Sequence, residues 1–382
     1  MKPLTEFLAQ QHTLSLYRER GIVDGPQGVE ITLNGRPVVA FCSNDYLGLA
    51  NHPEVVAALQ EGARLYGAGS GAAHLISGHS EAHHLLEQEL AAFTGRPRAL
   101  LFSTGYMANL GVLSALMGRG DTVFEDRLNH ASLVDGARLS QARLRRYPHR
   151  DMETLEAWLS RPRDGDALIA SDGVFSMDGD LAPVDTLRDL ARRHSAWLLI
   201  DDAHGLGVVG AGGRGSLEQW VGADDDGIIL MGTLGKAFGT FGAFVAGGED
   251  LIEYLIQRAR TYIYTTALPP AVAHATRTSL RVLREDDWRR THLQQLITRL
   301  RNGLSRFGVK LPAAHTPIQP VVVGDPDTAL VLSRALLRRG LLIPAIRPPT
   351  VPQGGARLRI TLSAAHQTSH VDRLIEELAR LL

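Results

Sequence analysis

Six short apolar runs alternate with stretches of helical period over residues 53–246, and this alternation limits the fold more than any other feature of the chain. The runs lie at 99–102, 122–124, 167–170, 197–200, 228–231 and 243–246, with helix-period stretches at 53–66, 80–94, 106–117, 132–142, 151–160 and 183–194. Strands apolar on both faces and separated by helices form a mainly parallel sheet covered on both sides. Upstream, residues 4–20 read as a polar amphipathic helix, and two strand-like runs flank Asn34-Gly35, the strongest short hairpin signal. Downstream come an Arg-rich helical segment near 271–307, an apolar run at 318–323, a helix at 327–339, a strand-like run at 357–362 and a closing helix at 368–381. The expected organisation is an N-terminal helix and hairpin segment (1–46), a large α/β domain (47–283) and a smaller α+β C-terminal domain (284–382).

Composition narrows the function. Forty basic side chains against forty-one acidic ones give a formal net charge of −1, without a Lys/Arg block, so neither nucleic acid nor a membrane surface is an expected partner. The single cysteine, Cys42, leaves an intrachain disulfide and thiolate zinc sites without ligands. The N-terminal residues carry acid and amide groups where a signal peptide needs an apolar core, and a cytoplasmic location is expected. Only three of the forty basic residues are lysines: Lys2, Lys236 and Lys310.

In an open α/β sheet, ligands collect outside the carboxyl ends of the strands. Five apolar runs here end in polar residues: Ser103-Thr104-Gly105-Tyr106, Glu125-Asp126 followed by Asn129-His130, Ser171-Asp172 followed by Ser176, Asp201-Asp202-Ala203-His204, and Gly232-Thr233-Leu234-Gly235-Lys236. Lys236 sits in a glycine-rich turn directly after a strand, where partial desolvation makes an amine nucleophile. A surface or phosphate-binding lysine is the alternative. A Walker loop fits poorly, because Ala237 stands where Ser or Thr would hold magnesium. A Schiff-base lysine therefore heads the readings. Asp201 closes an apolar strand and needs a cation or several donors; a protonated pyridine nitrogen would serve, and capping the next turn is the competing role. His204 is placed either for the phenolic oxygen of such a ring or for a loop carbonyl. Gly105 and Tyr106 open a helix after a strand, offering amides and a positive dipole end to a phosphate that the Thr233 hydroxyl can also address.

Ser43-Asn44-Asp45-Tyr46-Leu47-Gly48-Leu49, Gly67-Ala68-Gly69-Ser70-Gly71, Asn129-His130-Ala131-Ser132, the segment Gly173 to Asp180, Asp201-Asp202-Ala203-His204-Gly205 and Thr233-Leu234-Gly235-Lys236 resemble the α-oxoamine synthases. These are pyridoxal-phosphate (PLP) enzymes of the aspartate-aminotransferase fold, fold type I, which join an amino acid to an acyl thioester with loss of carbon dioxide. The resemblance runs from about residue 18 to about residue 366. It implies that Lys236 carries PLP, Asp201 pairs with the pyridine nitrogen, and His204 and Ser176 serve the ring oxygen. It further implies that His130 stacks over the ring and that Gly105, Tyr106 and Thr233 hold the phosphate. Thr265 and Thr266 match positions that reach the cofactor of the partner subunit, so a homodimer with shared sites is expected. Arg18, Asn44 and Thr350 match substrate-contacting positions, and Arg359 matches the arginine that meets the amino-acid carboxylate. The C-terminal run from Ala345 to His366, together with Tyr264-Thr265-Thr266-Ala267-Leu268-Pro269-Pro270, resembles the branch of the family in biotin biosynthesis. That branch implies L-alanine and a pimeloyl thioester, carried on CoA or on a carrier protein, as substrates. Tyr106 stands where relatives can have phenylalanine.

Sister activities using glycine with acetyl-CoA or succinyl-CoA are the nearest alternatives, and a catalytically silent partner subunit is the alternative of another class. A serine hydrolase lacks its Gly-x-Ser-x-Gly elbow. His79, His83 and His84 do not follow the His-Glu-x-x-His order, and with Ser80 placed to cap a helix no metal site is expected. Gly67 to Gly71 follow a helix instead of a strand, so a dinucleotide fingerprint fails and a close backbone approach near substrate is expected. Arg145-Arg146 and Arg338-Arg339 read as solvated basic pairs on helix ends or edges.

Overall fold

The structure, a computed structural model, describes residues 3–14, 16–220 and 227–382. Lys2 lies outside them. The chain forms two compact units: Leu47–Ser176 with Asp180–Arg290, and the segments through Tyr46, Met177–Gly179 and Thr291–Leu382.

The N-terminal segment belongs to the second of these units. Its helix covers Leu4–Thr13 and ends well short of residue 20. None of its residues is buried, and a helix of this length without an anchored face has little to extend it. The chain turns instead, with the amides of Leu16 and Tyr17 donating to Gln11 O and the Tyr17 ring stacked 3.8 Å from that of His12. Strand β1 (Val23–Asp24) pairs with β2 (Glu30–Leu33), which forms the expected hairpin with β3 (Arg36–Ala40). Asn34 and Gly35 take φ of 49° and 74° at the turn, the left-handed pair that a two-residue hairpin requires.

The large unit holds a seven-stranded sheet: β4 (Arg98–Phe102), β5 (Thr122–Asp126), β6 (Arg143–Tyr147), β7 (Ala167–Asp172), β8 (Trp197–Asp201), β9 (Ile228–Thr233) and β10 (Ala243–Gly247), in the order β4-β10-β9-β8-β7-β5-β6. Strands β5 to β9 pair in parallel, while β10 runs antiparallel to both β9 and β4. One face packs on the helices Gly105–Leu116 and Ala131–Ser140, where Leu100, Val112, Val123, Leu133, Leu168, Leu199 and Ile229 are each at most 1% exposed. The Arg145-Arg146 pair lies on β6, an edge strand reading Arg-Leu-Arg-Arg-Tyr, and not on a helix end. Charge on an exposed edge discourages pairing with another sheet.

The C-terminal segments complete the smaller unit. Strand β12 (Leu341–Leu342) joins β3 in parallel, and β11 (Ile318–Gly324), β14 (Ala356–Thr361) and β13 (Ala345–Ile346) make a three-stranded antiparallel sheet. The helices Pro326–Arg338 and Thr368–Leu381 bury Leu332, Leu336, Leu374 and Leu378 in this unit. The long segment expected near 271–307 is two helices, Pro270–Glu285 and Asp287–Ser305. No helix among the described residues is long and apolar enough to cross a membrane.

Candidate active site

Strand register gathers the polar ends of the large sheet along one rim. Asp172 is level with Asp201 and Asp201 with Met231, while Thr233 is level with Ala243 and Ala243 with Phe102. The residues that follow β4, β5, β7, β8 and β9 therefore emerge together at the carboxyl edge. At β4, Thr104 caps the helix Gly105–Leu116 by accepting from the Met107 amide at 3.2 Å. The preceding amides, of Gly105 and Tyr106, lie in the first turn, where a helix has no carbonyl of its own to offer. A Cβ on Gly105 would stand 3.4 Å from the flexible end of the Met231 side chain, an ordinary van der Waals contact.

A hydrogen-bonded chain runs from β8 to His130. Asn109 Nδ2 donates to Asp201 Oδ2 at 2.7 Å and to Ser132 Oγ at 2.8 Å, and Ser132 Oγ lies 2.7 Å from His130 Nδ1. The Ala203 amide donates to the other Asp201 oxygen at 3.1 Å. Three groups, the Asn109 amide, the Ser132 hydroxyl and the Ala203 N–H, thus hold the Asp201 carboxylate and the His130 ring in fixed relation. His130 keeps more than a third of its surface open. Even so, the water its ring has lost, with the Lys236 charge, outweighs Asp201 and Asp135 and lowers its pKa, leaving a neutral imidazole at neutral pH. Its backbone amide donates to Asp172 Oδ1 at 3.1 Å. Burial and the adjacent Asp201 charge raise the pKa of Asp172 well above the carboxylate range, against the pull of that amide and of Lys236. Tyr106 approaches His130 edge-on, centroids 6.3 Å apart, and its hydroxyl donates to Asp135.

Asp202 faces elsewhere. Its Oδ2 accepts from the Ser216 amide at 2.7 Å, and burial pushes its pKa up to about 7. A Cβ on Gly173, Gly205 or Gly215 would fall within 2.5 Å of its carboxylate, so three glycines enclose it. His204 is buried and Ser176 half-buried on the same unit. The turn after β9 presents Lys236, half-buried: Gly239 N–H donates to Lys236 O at 2.8 Å, Leu234 N–H to Gly242 O at 2.9 Å, and Thr233 Oγ1 to Gly242 O at 3.2 Å. The Lys236 charge is felt by His130, Asp172 and Asp202 alike. Thr265 is half-buried and Thr266 exposed; the Thr266 carbonyl accepts from Ser103 Oγ of the same chain at 3.3 Å, beside the start of the Gly105 helix.

The other expected residues lie in the smaller unit. Arg359, 6% exposed on β14, donates to Asn44 Oδ1 at 3.5 Å, and Tyr46 OH donates to the same oxygen at 3.2 Å. Burial drives Tyr46 up to about 12 despite the charge and hydrogen bond of Arg359. Arg18 and Thr350, 332 positions apart in sequence, line one cavity of about 630 Å³ together with Arg334 and Arg347. The Arg347 guanidinium has its pKa lowered by burial and by the charges of Arg18 and Arg334. Such a concentration of positive charge suits an anion.

Sequence reasoning placed Asp172 at a strand end and Ser132 in a motif but gave neither a role, and it assigned none to Asn109. Asn109 left one readable signal, a lone amide four residues into a helix otherwise made of apolar and small residues.

A family model for aminotransferase class I and II matches residues 36–378. The 8-amino-7-oxononanoate synthase of Nitrosococcus oceani is 60% identical over 98% of this chain and 100% of its own length. That of Methylococcus capsulatus is 61% identical over 97% of this chain and 96% of its own. Among solved structures, a serine palmitoyltransferase of S. paucimobilis with bound PLP and myriocin superposes with a TM-score of 0.93 at 30% identity, covering 100% of this chain and 96% of that one. The 8-amino-7-oxononanoate synthase of Francisella tularensis gives a TM-score of 0.78 at 33% identity, covering 90% and 97%. With its seven-stranded sheet, its polar strand ends and these relatives along nearly its whole length, the chain belongs to the aminotransferase class I and II family and, within it, to the 8-amino-7-oxononanoate synthases.

Proposed function

We propose that the chain condenses L-alanine with a pimeloyl thioester, releasing carbon dioxide and the free thiol carrier and forming 8-amino-7-oxononanoate for biotin biosynthesis. The observation that carries the reading is the Asp201–Asn109–Ser132–His130 chain at the rim that also bears Lys236. The donor set fits PLP: a buried carboxylate for the pyridine nitrogen, a lysine for the aldehyde, and helix-end amides with the Thr233 hydroxyl for the phosphate. Bound PLP supplies an electron sink that lets bonds at the amino acid's Cα break.

The chain's own residues do the rest. Lys236 would hold the cofactor, and its amine is the base placed to take the Cα proton and to return one. Asp201, fixed by Asn109 and Ala203, pairs with the ring nitrogen; His204 and Ser176 address the ring oxygen; Gly105, Tyr106 and Thr233 bind the phosphate. A neutral His130 covers the ring and donates from Nε2 to the keto oxygen while Nδ1 is tied to Ser132. Arg359, positioned by Asn44 and Tyr46, takes the amino-acid carboxylate. Arg18 and Thr350 meet the acyl substrate in the cavity shared with Arg334 and Arg347. Two chains form a homodimer in which Thr265 and Thr266 serve the partner's phosphate, and the enzyme works in the cytoplasm.

Incubation with L-alanine and pimeloyl-CoA, followed by mass spectrometry of the product and measurement of released carbon dioxide, tests the reading. A product from glycine with acetyl-CoA or succinyl-CoA instead, or no condensation with any pairing, overturns it.

A further inference from the structure

The histidines in the first turn of the helix Glu81–Thr94 and just ahead of it divide into two groups with different partners. His83 is committed to the fold: its Nδ1 accepts from the Ser80 amide at 3.0 Å, and its Nε2 lies 2.6 Å from Leu268 O. His79 and His84 are turned elsewhere. One ring nitrogen of each, with one carboxylate oxygen of Glu87, lies within 4.8 Å of the other two, and His79 Nε2 stands 3.9 Å from Glu87 Oε2. The pair four residues apart, His79 and His83, is thus replaced by a triad in which His84 and Glu87 sit one helical turn apart.

We propose that His79, His84 and Glu87 bind one divalent transition-metal ion of the zinc class per chain, with water completing its coordination. Bonds of about 2.0–2.2 Å to a four-coordinate ion set ligand atoms roughly 3.4 Å apart, so small side-chain rotations close the triad. Two imidazoles and one carboxylate suit zinc, cobalt or nickel better than the all-oxygen shells of calcium and magnesium.

The surroundings hold each ligand by its other polar atom, as metal ligands are usually held. His79 Nδ1 lies 3.0 Å from His74 Nδ1, so one of these two nitrogens carries the shared proton. When His79 donates, its Nε2 lone pair is bare and directed to the triad. The Leu101 amide donates to Glu87 Oε1 at 2.9 Å, leaving Oε2 for the ion. Gln88 Nε2 is 3.1 Å from His84 Nε2. An exchange of its amide orientation lets the Gln88 oxygen accept from that nitrogen and frees Nδ1. His84 is exposed and Glu87 half-buried, which leaves an entry path and room for water. His74 in turn stacks on Tyr262 at 4.9 Å, so an ion here clamps the 74–79 segment to the helix beside the 262–268 segment. The site does not depend on the acyl-transfer reading.

The test uses PLP-loaded protein stripped of metal and titrated with Zn²⁺ against a chromophoric chelator, alongside the His84→Ala, Glu87→Gln and His315→Ala variants. His84 can be removed without touching the core, and Gln at 87 keeps an acceptor for the Leu101 amide. The expected result is one Zn²⁺ per wild-type chain with a raised Tm, at least tenfold weaker binding in His84→Ala and in Glu87→Gln, and unchanged binding in His315→Ala. No stoichiometric uptake, or wild-type affinity in either triad variant, overturns the site.

Discussion

Asp201 and Asp202 are neighbours in sequence and opposites in surroundings. The first faces Asn109 and the chain to His130, and the second is sealed among three glycines and the Ser216 amide. Asp201→Asn is expected to lower kcat about a thousandfold while PLP still binds, a loss of roughly 4 kcal/mol in the barrier. Asp202→Asn should act mainly on stability, and steady-state rates beside urea melts of both variants separate the roles; activity of Asp201→Asn within about tenfold of wild type removes Asp201 from the mechanism. The acid ending an apolar run was legible in the sequence. Its orientation was not, because Asn109 reaches it from a helix 92 positions upstream and is itself tied to Ser132, 69 positions upstream, and no local pattern encodes such bonds. Two other groups, one buried and one half-buried, make stability depend on pH. Glu125, fully buried on β5, has its pKa raised by burial to about 8, so it folds as the neutral acid. Its contribution is complete below the unfolded value near 4.3 and is lost as pH rises towards 8. Burial opposes charge on His149, yet its bonds to Asp126 and Asp180 raise it to about 9, so that contribution fades between about 6.5 and 9. Glu125→Gln should therefore flatten the lower part of this fall and gain on the order of 4 kcal/mol relative to wild type at pH 9. Urea melts at pH 5, 7 and 9 read it; parallel wild-type and variant curves refute it.

At the scale of elements, the turn that carries Lys236 depends on glycine. Gly239 has φ of +67°, and a Cβ there would stand 2.4 Å from Ala50 N and 2.5 Å from Leu49 C, both backbone atoms that cannot give way. Gly239→Ala should cost about 2 kcal/mol or more and weaken PLP retention, readable in the urea midpoint and in visible absorbance after gel filtration. Unchanged values for both would show that the turn absorbs the methyl group. Borohydride should fix PLP on Lys236 in the wild type and in no other peptide; label on Lys310 would contradict the assignment. Helices with a buried face and strands buried on both sides were legible because burial writes a period into the sequence. The helix at Leu4–Thr13 was read too long because nothing buried marks its end, and β6 was missed because its five residues include three arginines.

For the whole molecule, the claim of shared sites makes a complementation prediction. Lys236→Ala mixed with a chain bulky at both 265 and 266 should regain partial activity after subunit exchange, since one site in the mixed dimer carries neither lesion. Continued inactivity of well-folded, demonstrably exchanging subunits would mean that Thr265 and Thr266 serve their own chain, where the Thr266 carbonyl already meets Ser103. The order of strands also sets a schedule for synthesis. β4 is an edge strand whose one neighbour among the described residues, β10, lies about 140 residues downstream, so at ~5–20 residues per second it leaves the ribosome roughly seven to thirty seconds before its partner. β3 waits for β12, about 300 residues later, before its own sheet is finished. The unit bearing Lys236 can therefore close while the other is still half made, and a nascent chain halted between residues 290 and 340 already holds every cofactor-binding residue proposed here, without Thr350 or Arg359 to receive the substrates.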